Sequence, residues 1–323
     1  MKKILAVLLV LPLLSYLGFK AYMHYKVSDF LDKTLAPLSS SVQLKYGWVS
    51  SSLSGSAGVT GVRLYVKDTG DEVLVDSIKL DAGSLEELMK LSSNKRNADF
   101  PRQLTIQVKG MVVDFSSEYY QFLESTMDEY ASADAPGLAC GEINLNGLSH
   151  LRELGYQNTK IDATMRYKVN ENATVTIALN VKVDGIQDII STVNYDIGEF
   201  LSNPIVTLRR RELPKIVSAN VRLIDHSYTK KLLDYCQQKS GENRDTIAAQ
   251  LADAMERSIW GPLGLDSQPI FATTERVQIE RFIQNPKELK ISIAPRDPID
   301  FKYLKFYKPE DIPFILNMKL ASL

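Results

Sequence analysis

Apolar and polar residues alternate along much of the chain after its first two dozen residues. The longest alternation spans residues 161–183 and is interrupted by a polar turn at 170–172. A period of two places every second side chain on one face of a strand, so this stretch predicts an antiparallel hairpin with one apolar face and one wet face. The apolar positions of its two strands are Ile161, Ala163, Met165, Tyr167, Val169, Val175, Ile177, Leu179, Val181 and Val183.

Shorter alternations predict further strands on both sides of this hairpin. They lie at 42–48, 62–66, 73–80, 104–115, 189–197, 217–223 and 289–293. Helical spacing predicts helices at 27–38, 84–91, 116–130, 228–238, 244–259, near 279–283 and over 309–318. Strands joined by short turns, with helices inserted in blocks, predict an α+β fold. We expect a curved, mostly antiparallel β-sheet with a helical C-terminal third.

The N-terminus has a different pattern, an apolar run between Lys3 and Lys20. The run is about 16 residues long, slightly shorter than the roughly 20 that cross a bilayer, but residues 21–23 extend it if Lys20 reaches the headgroups. We therefore expect 1–26 to form a signal anchor and transmembrane helix. The predicted anchor residues are Ile4, Leu5, Val7, Leu8, Leu9, Val10, Leu11, Leu13, Leu14, Leu17 and Phe19.

The alternative for this run is a cleaved secretory signal, which has the same basic start and apolar middle. Residues 18–23 supply no A-x-A pattern for a signal peptidase, so retention is favoured. Lys2 and Lys3 are expected to stay in the cytoplasm. Residues 27–323 then form a periplasmic α+β domain, with a sub-boundary in the loop 131–137, and the chain belongs to the bacterial inner membrane as a single-pass protein.

Composition limits the classes of protein that fit. The 323 residues are 24% charged and 45% hydrophobic with a net charge of −1, which is typical of a globular protein. A nucleic-acid binder would show a clustered positive surplus. The one basic run, residues 209–211, is followed at once by Glu212, and this favours a solvated edge over a phosphate site.

Cys140 and Cys236 are the two cysteines of the sequence. In an oxidising compartment they can pair, closing a loop of roughly 100 residues worth about 4 to 5 kcal/mol by the chain-entropy relation. The alternative is two unrelated buried thiols. No histidine lies near either cysteine in the sequence, so they do not indicate a metal site.

Residue types used in catalysis occur without the spacing that catalysis needs. Asp225, His226 and Ser227 are triad types, but adjacent residues cannot form the relay, and we expect this trio to cap the following helix. The serine- and glycine-rich run 50–58 lacks the nucleophile-elbow spacing. Two acidic pairs, at 86–87 and 310–311, sit where helices are expected to begin. The sequence therefore predicts no catalytic, cofactor-binding or metal-binding residues.

The order of elements in the first 91 residues resembles the start of bacterial AsmA-like envelope proteins. An anchor is followed by a short helix (27–38), a strand ending in an aromatic residue (Trp48), two more strands and a leucine-rich helix (85–91). The resemblance implies an inner-membrane-anchored periplasmic protein with a curved sheet, associated with phospholipid movement or outer-membrane homeostasis. This chain is short for such a role and could hardly bridge two membranes alone.

The function expected from these patterns is non-enzymatic. A membrane-anchored envelope protein would bind a phospholipid or a protein partner through an apolar sheet surface. The first alternative is an assembly factor of an envelope complex with a fully packed core, and the second is a hydrolase. Alternation cannot separate an open apolar face from a packed one, because both need the same pattern.

Overall fold

The structure is a computed structural model of the chain. It describes residues 21, 22, 24–26, 28, 42–67, 69–91, 101–121, 151–197, 215–260 and 273–323. The chain divides into two compact units, Met1–Met111 and Val112–Leu323. Each unit has apolar clusters of its own.

The first unit is built from antiparallel strands. β1 (Val42–Lys45) and β2 (Trp48–Ser52) pair with successive halves of β3 (Ser56–Val66). β3 pairs in turn with β4 (Glu72–Asp81), and β4 pairs with the first half of β5 (Gln103–Asp114). β5 begins in this unit and ends in the second.

Side chains along the strands of this first sheet alternate between its two faces, and this alternation reverses at one position that runs across three neighbouring strands. Gly61 on β3, Asp76 on β4 and Gly110 on β5 are neighbours in the strand register, and both glycines have positive φ, 61° and 63°. Val59 and Val62, three residues apart, consequently contribute to the same apolar cluster, which a regular strand does not allow. A Cβ added at Gly110 would lie 1.9 Å from Asp76 Oδ2. Glycine is therefore required where the alternation reverses.

Helix α1 (Leu85–Leu91) follows β4. The Ser84 hydroxyl oxygen accepts a hydrogen bond from the Glu87 N–H at 3.2 Å, which is the N-cap contact that starts a helix. The Leu88 side chain is buried with Ala57 and Ala82. The helix predicted at 84–91 is confirmed.

The second unit contains six antiparallel strands, each paired with the next. They are β6 (Asn158–Val169), β7 (Thr174–Val183), β8 (Gln187–Asp196), β9 (Lys215–Asp225), β10 (Glu288–Ile293) and β11 (Lys319–Ser322). The predicted central hairpin is confirmed, since β6 and β7 pair from Ile161 opposite Val183 to Val169 opposite Val175. Alternation over two long strands fixed that register in advance.

Helices pack against the strands at the C-terminal end of this order. They are α2 (Tyr228–Ser240), α3 (Arg244–Trp260), α4 (Thr273–Gln284) and the short α5 (Ile312–Ile315). Each of the three long helices buries apolar side chains, such as Leu233 of α2, Ile247 of α3 and Phe282 of α4. They share one cluster with Leu289 of β10, and Leu223 of β9 packs against its side. The main core of the second unit therefore lies between α2–α4 and β9–β10.

The predicted fold class is wrong. Antiparallel sheet, not an α+β mixture with a helical C-terminal third, is the main architecture, with eleven strands among the described residues. The expected helix at 309–318 is a 3-10 turn (Pro309–Asp311) followed by the four-residue α5 and a turn, and an unpredicted strand, β11, comes after it. Four residues are too few to show a period, and β11 is defined by its pairing with β10, a tertiary contact.

The transmembrane part of that fold class finds no support in the described residues. None of the helices they form has both the length and the apolar character needed to cross a bilayer. Other predictions lie outside the described residues: the anchor residues 4–19, most of the helix at 27–38, the later part of the helix at 116–130, the loop 131–137, the basic run 209–211 and Cys140.

Replacing Gly110 by Ala should destabilise the protein more than replacing Gly70 by Ala. Both glycines have positive φ, which costs an L-residue roughly 1–2 kcal/mol, but a Cβ at Gly70 would meet nothing closer than 3.9 Å, whereas one at Gly110 would collide with Asp76. Urea unfolding followed by circular dichroism measures both variants. Equal losses of stability would contradict the crowding argument.

Candidate functional site

Strands β6–β10 carry apolar side chains on one face in three rows that cross the sheet. Residues directly opposite each other in an antiparallel pair share a face, so the rows follow from the strand register. They are Ala163–Val181–Ile189–Leu223–Leu289, Met165–Leu179–Ser191–Val221–Ile291 and Tyr167–Ile177–Val193–Ala219–Ile293. We call this surface the apolar face. Fourteen of its fifteen positions are apolar, the exception being Ser191, which makes it the best candidate for a binding site.

Burial along the apolar face falls from β10 towards β6. At the β10 end, Leu289 is 1% exposed and belongs to the core under the helices, with Leu223 and Ile291 packed against its side. At the β6–β7 end, Met165 is 38% exposed and Ile177 is 37% exposed. These two side chains are diagonal neighbours, because Met165 lies opposite Leu179 and Ile177 lies opposite Tyr167. The apolar face is therefore core at one end and accessible surface at the other.

The opposite face of the same strands is polar and internally hydrogen-bonded. The Asn170 side-chain amide donates to Thr176 Oγ1 at 3.0 Å, and the Thr176 hydroxyl donates to Asn194 Oδ1 at 2.7 Å. The Asn194 amide then donates to Ser218 Oγ at 2.8 Å. We call this row from β6 to β9 the polar ladder. The groups of the polar ladder bond one another and need no ligand to satisfy them. Asn180 Oδ1, on the same face, is buried without a hydrogen-bond partner among the described residues.

Asp225, His226 and Ser227 do not form a catalytic relay. His226 Nε2 lies 3.2 Å from Asp188 Oδ1, on β8. The Ser227 hydroxyl donates to the Gly185 carbonyl at 2.6 Å. Because its single proton is used there, Ser227 Oγ is the acceptor for the Tyr156 hydroxyl, 2.5 Å away. The serine proton is directed at a carbonyl and not at a base, so Ser227 is not set up as a nucleophile.

The capping role predicted for this trio is carried by Asp225. Its Oδ1 accepts a hydrogen bond from the Thr229 N–H at 2.7 Å, at the start of α2. Ser227, which occupies the N-cap position, makes no side-chain cap hydrogen bond. Burial raises the pKa of the Asp225 carboxyl, while hydrogen bonds from Thr229 and the nearby His226 lower it. Asp225 is thus a half-buried helix cap with a perturbed pKa.

Two tyrosines complete the polar cluster at the start of α2. Lys231 Nζ lies 3.7 Å from the centre of the Tyr156 ring, a cation–π contact. Burial raises the pKa of Tyr156, and it raises the pKa of Tyr228 to about 12. Both phenols therefore stay protonated at neutral pH and act here as packing and hydrogen-bonding groups.

The remaining sequence candidates are structural where the structure describes them. Cys236 is fully buried on α2 and its sulfur is engaged in a disulfide, while Cys140 lies outside the described residues. Glu86 and Glu87 lie in the first turn of α1, as expected. Among the described residues, no group of three His, Cys, Asp or Glu side chains is placed to hold a metal ion.

Sequence reasoning identified the apolar positions of β6 and β7 but not which of them stay exposed. It also missed several exposed aromatic residues, among them Trp48, Phe306 and Phe314, which are 73%, 75% and 88% exposed. A signal was present for Phe306, since residues 301–308 mix aromatic residues with lysines in a way that fits neither a period of two nor a helical period.

Comparison with known proteins gives little about function. A family model described as "Uncharacterized protein" matches residues 169–322, from the end of β6 to β11. No curated protein and no solved structure matches the chain. The resemblance to AsmA-like proteins concerns residues 1–91, outside the matched range, and stays a resemblance.

Asp225 offers a test of the capping contact. Asp225→Ala should lose about 1 kcal/mol of unfolding free energy, as helix caps do, and Asp225→Asn should lose less because its amide oxygen still accepts from Thr229. Since the folded-state pKa is raised above 3.8, the carboxyl favours folding most when protonated, at low pH, and that contribution is lost as pH rises through the folded pKa.

The stability of Asp225→Asn relative to the parent should therefore increase as pH rises through this range. Urea unfolding at a series of pH values measures it, with Asp225→Ala as the control that loses the cap at every pH. A relative stability that stays constant or falls with pH would show that the charge is not disfavoured by burial.

Proposed function

We propose that this chain is a non-enzymatic, membrane-anchored envelope protein that binds the acyl chain of a lipid on the exposed end of its apolar face. The observation that carries the proposal is the exposure of Met165 and Ile177 within rows whose other members are half-buried or buried. Scattered exposed apolar residues are ordinary, but neighbours on one continuous apolar surface are typical of a binding site.

An acyl chain suits this surface because the exposed end offers mainly apolar contact. Ser191 and Tyr167 carry the two hydroxyls of the three rows, and the side chains of the polar ladder lie on the other face. Covering about 100 Å² of such surface would contribute about 2.5 kcal/mol. A ligand that only touches Met165 and Ile177 would bind weakly, so we expect it to extend along neighbouring rows.

The compartment is the second part of the proposal. We place the chain at the bacterial inner membrane, held by the apolar residues 4–19, with its folded part in the periplasm. The N-terminal run after Lys2 and Lys3 supports this placement. The disulfide at Cys236 agrees with this placement, because disulfides persist in oxidising compartments such as the periplasm.

Site-specific photo-crosslinking tests the proposed binding. The photoreactive residue p-benzoylphenylalanine is placed at Met165 or at Ile177 in the full chain, in cells fed a radiolabelled fatty acid. The matched control is Lys168, an exposed residue on the polar face of β6. We expect light-dependent label from Met165 and Ile177 and none from Lys168.

The same experiment separates the competing functions. A crosslinked product with the mass of a protein partner, formed from Met165 or Ile177, would contradict lipid binding and support the assembly-factor role. The absence of any adduct at both positions would remove the apolar face as a binding site altogether.

Polar substitution of the exposed pair gives a second readout. Met165→Gln with Ile177→Asn should reduce the amount of lipid that crosslinks to a photoreactive residue at Val181, in the neighbouring row. Each exposed substitution should change the unfolding free energy by only about 0.5 kcal/mol. Lys168→Gln is the control variant, and an undiminished lipid adduct in the double variant would exclude the exposed end as the binding surface.

A further inference from the structure

Four aromatic side chains are exposed in the segment 303–314 of the second unit. Phe306 is 75% exposed and Phe314 is 88% exposed, while Tyr303 and Tyr307 are about half exposed at 50% and 47%. The rings of Tyr303 and Phe306 lie 6.4 Å apart. Phenylalanine is usually buried in a folded protein, so two such exposed rings on one segment need a reason. We call these four side chains the aromatic patch.

The segment that carries the aromatic patch is anchored in the core by its buried side chains. Leu304, Ile312 and Leu316 come from the same stretch of chain and are fully buried in the main cluster of the second unit. Short-range hydrogen bonds fix the backbone between them: the Tyr307 N–H donates to the Leu304 carbonyl, and the Leu316 N–H donates to the Ile312 carbonyl. Because the buried side chains fix the backbone of this segment, the exposure of the aromatic rings is a property of the folded structure and not of a frayed terminus.

Along the sequence, the charged residues at 301–308 all have one sign. Residues 301–308 contain three lysines, Lys302, Lys305 and Lys308, and no acid. Lys308 is exposed. Two exposed acids, Glu310 and Asp311, follow in the 3-10 turn Pro309–Asp311 and partly offset this charge. The rings of Tyr303, Phe306 and Tyr307 therefore lie in the basic part of the segment, and Phe314 follows the acids.

We propose that the aromatic patch docks on the surface of a lipid bilayer, with its rings in the interfacial region and the exposed Lys308 at the headgroups. Tyrosine rings have a polar end and an apolar body and are enriched at this depth of a membrane. Lysines next to membrane-inserted aromatic residues are attracted to anionic lipids. A protein partner would instead be expected to supply acids facing the lysines and a pocket for Phe314.

This docking is distinct from acyl-chain binding at the apolar face. It would bring the folded part of the chain against the bilayer whether or not a lipid occupies the exposed end of β6 and β7. The two proposals use different residues and different readouts, so one can fail while the other holds.

Tryptophan quenching in lipid nanodiscs tests the docking on the full chain. Phe306→Trp and Phe314→Trp place a fluorescent ring in the aromatic patch while keeping an aromatic residue there. The nanodiscs contain phosphatidylglycerol and phosphatidylcholine, with the latter either plain or brominated in its acyl chains. We expect bromolipid to reduce the added emission of both variants, relative to the parent chain with Trp48 and Trp260, and their emission to shift to shorter wavelength.

The control is Glu171→Trp, which adds an exposed ring at the turn between β6 and β7. Its emission should be unaffected by bromolipid. Emission from positions 306 and 314 that bromolipid leaves unchanged would overturn the proposal. Protection of those two rings from aqueous iodide without quenching by bromolipid would also overturn it, because a protein surface or a second copy of the chain would then cover the aromatic patch.

Discussion

The packing of α2–α4 on β9 and β10 is the contact from which the organisation of the second unit follows. Leu233, Phe282 and Leu289 are almost completely removed from water there, and each such side chain contributes about 1.5–3 kcal/mol by burial. The same three apolar rows continue from this core across β8 to β6 and β7. Because the strands pair continuously, the apolar face extends beyond the part that the helices cover.

One set of rows therefore has two roles at its two ends. Near β10 the side chains stabilise the fold, and near β6 they present an apolar surface that the protein can use for contact. The polar ladder on the other face makes this division possible, because Asn194 and its partners satisfy their own hydrogen bonds and leave the two faces with opposite characters. The functional proposal depends on this contrast, and not on any catalytic group.

The sequence pattern predicted those elements of the fold that depend on residues close together in the chain. The alternation from Ile161 to Val183 gave the β6–β7 pairing residue by residue, and helix spacing with Gly241 after it gave α2 and its end. Other features depend on distant contacts. β11 exists because it pairs with β10, and Ser227 bonds the Gly185 carbonyl instead of capping α2. The exposure of Met165 depends on how far the helices reach, which no pattern within β6 encodes.

The polar ladder also has a consequence for how the chain reaches this arrangement. A shift of one residue between neighbouring strands would turn every side chain of one strand to the other side of the sheet. The hydrogen bonds that join Thr176, Asn194 and Ser218 would then be broken, and their polar groups would be turned towards the apolar face. A shifted register is thus disfavoured by the lost hydrogen bonds and by the polar groups placed on the apolar side. The polar ladder therefore helps to select the correct strand register as the sheet forms.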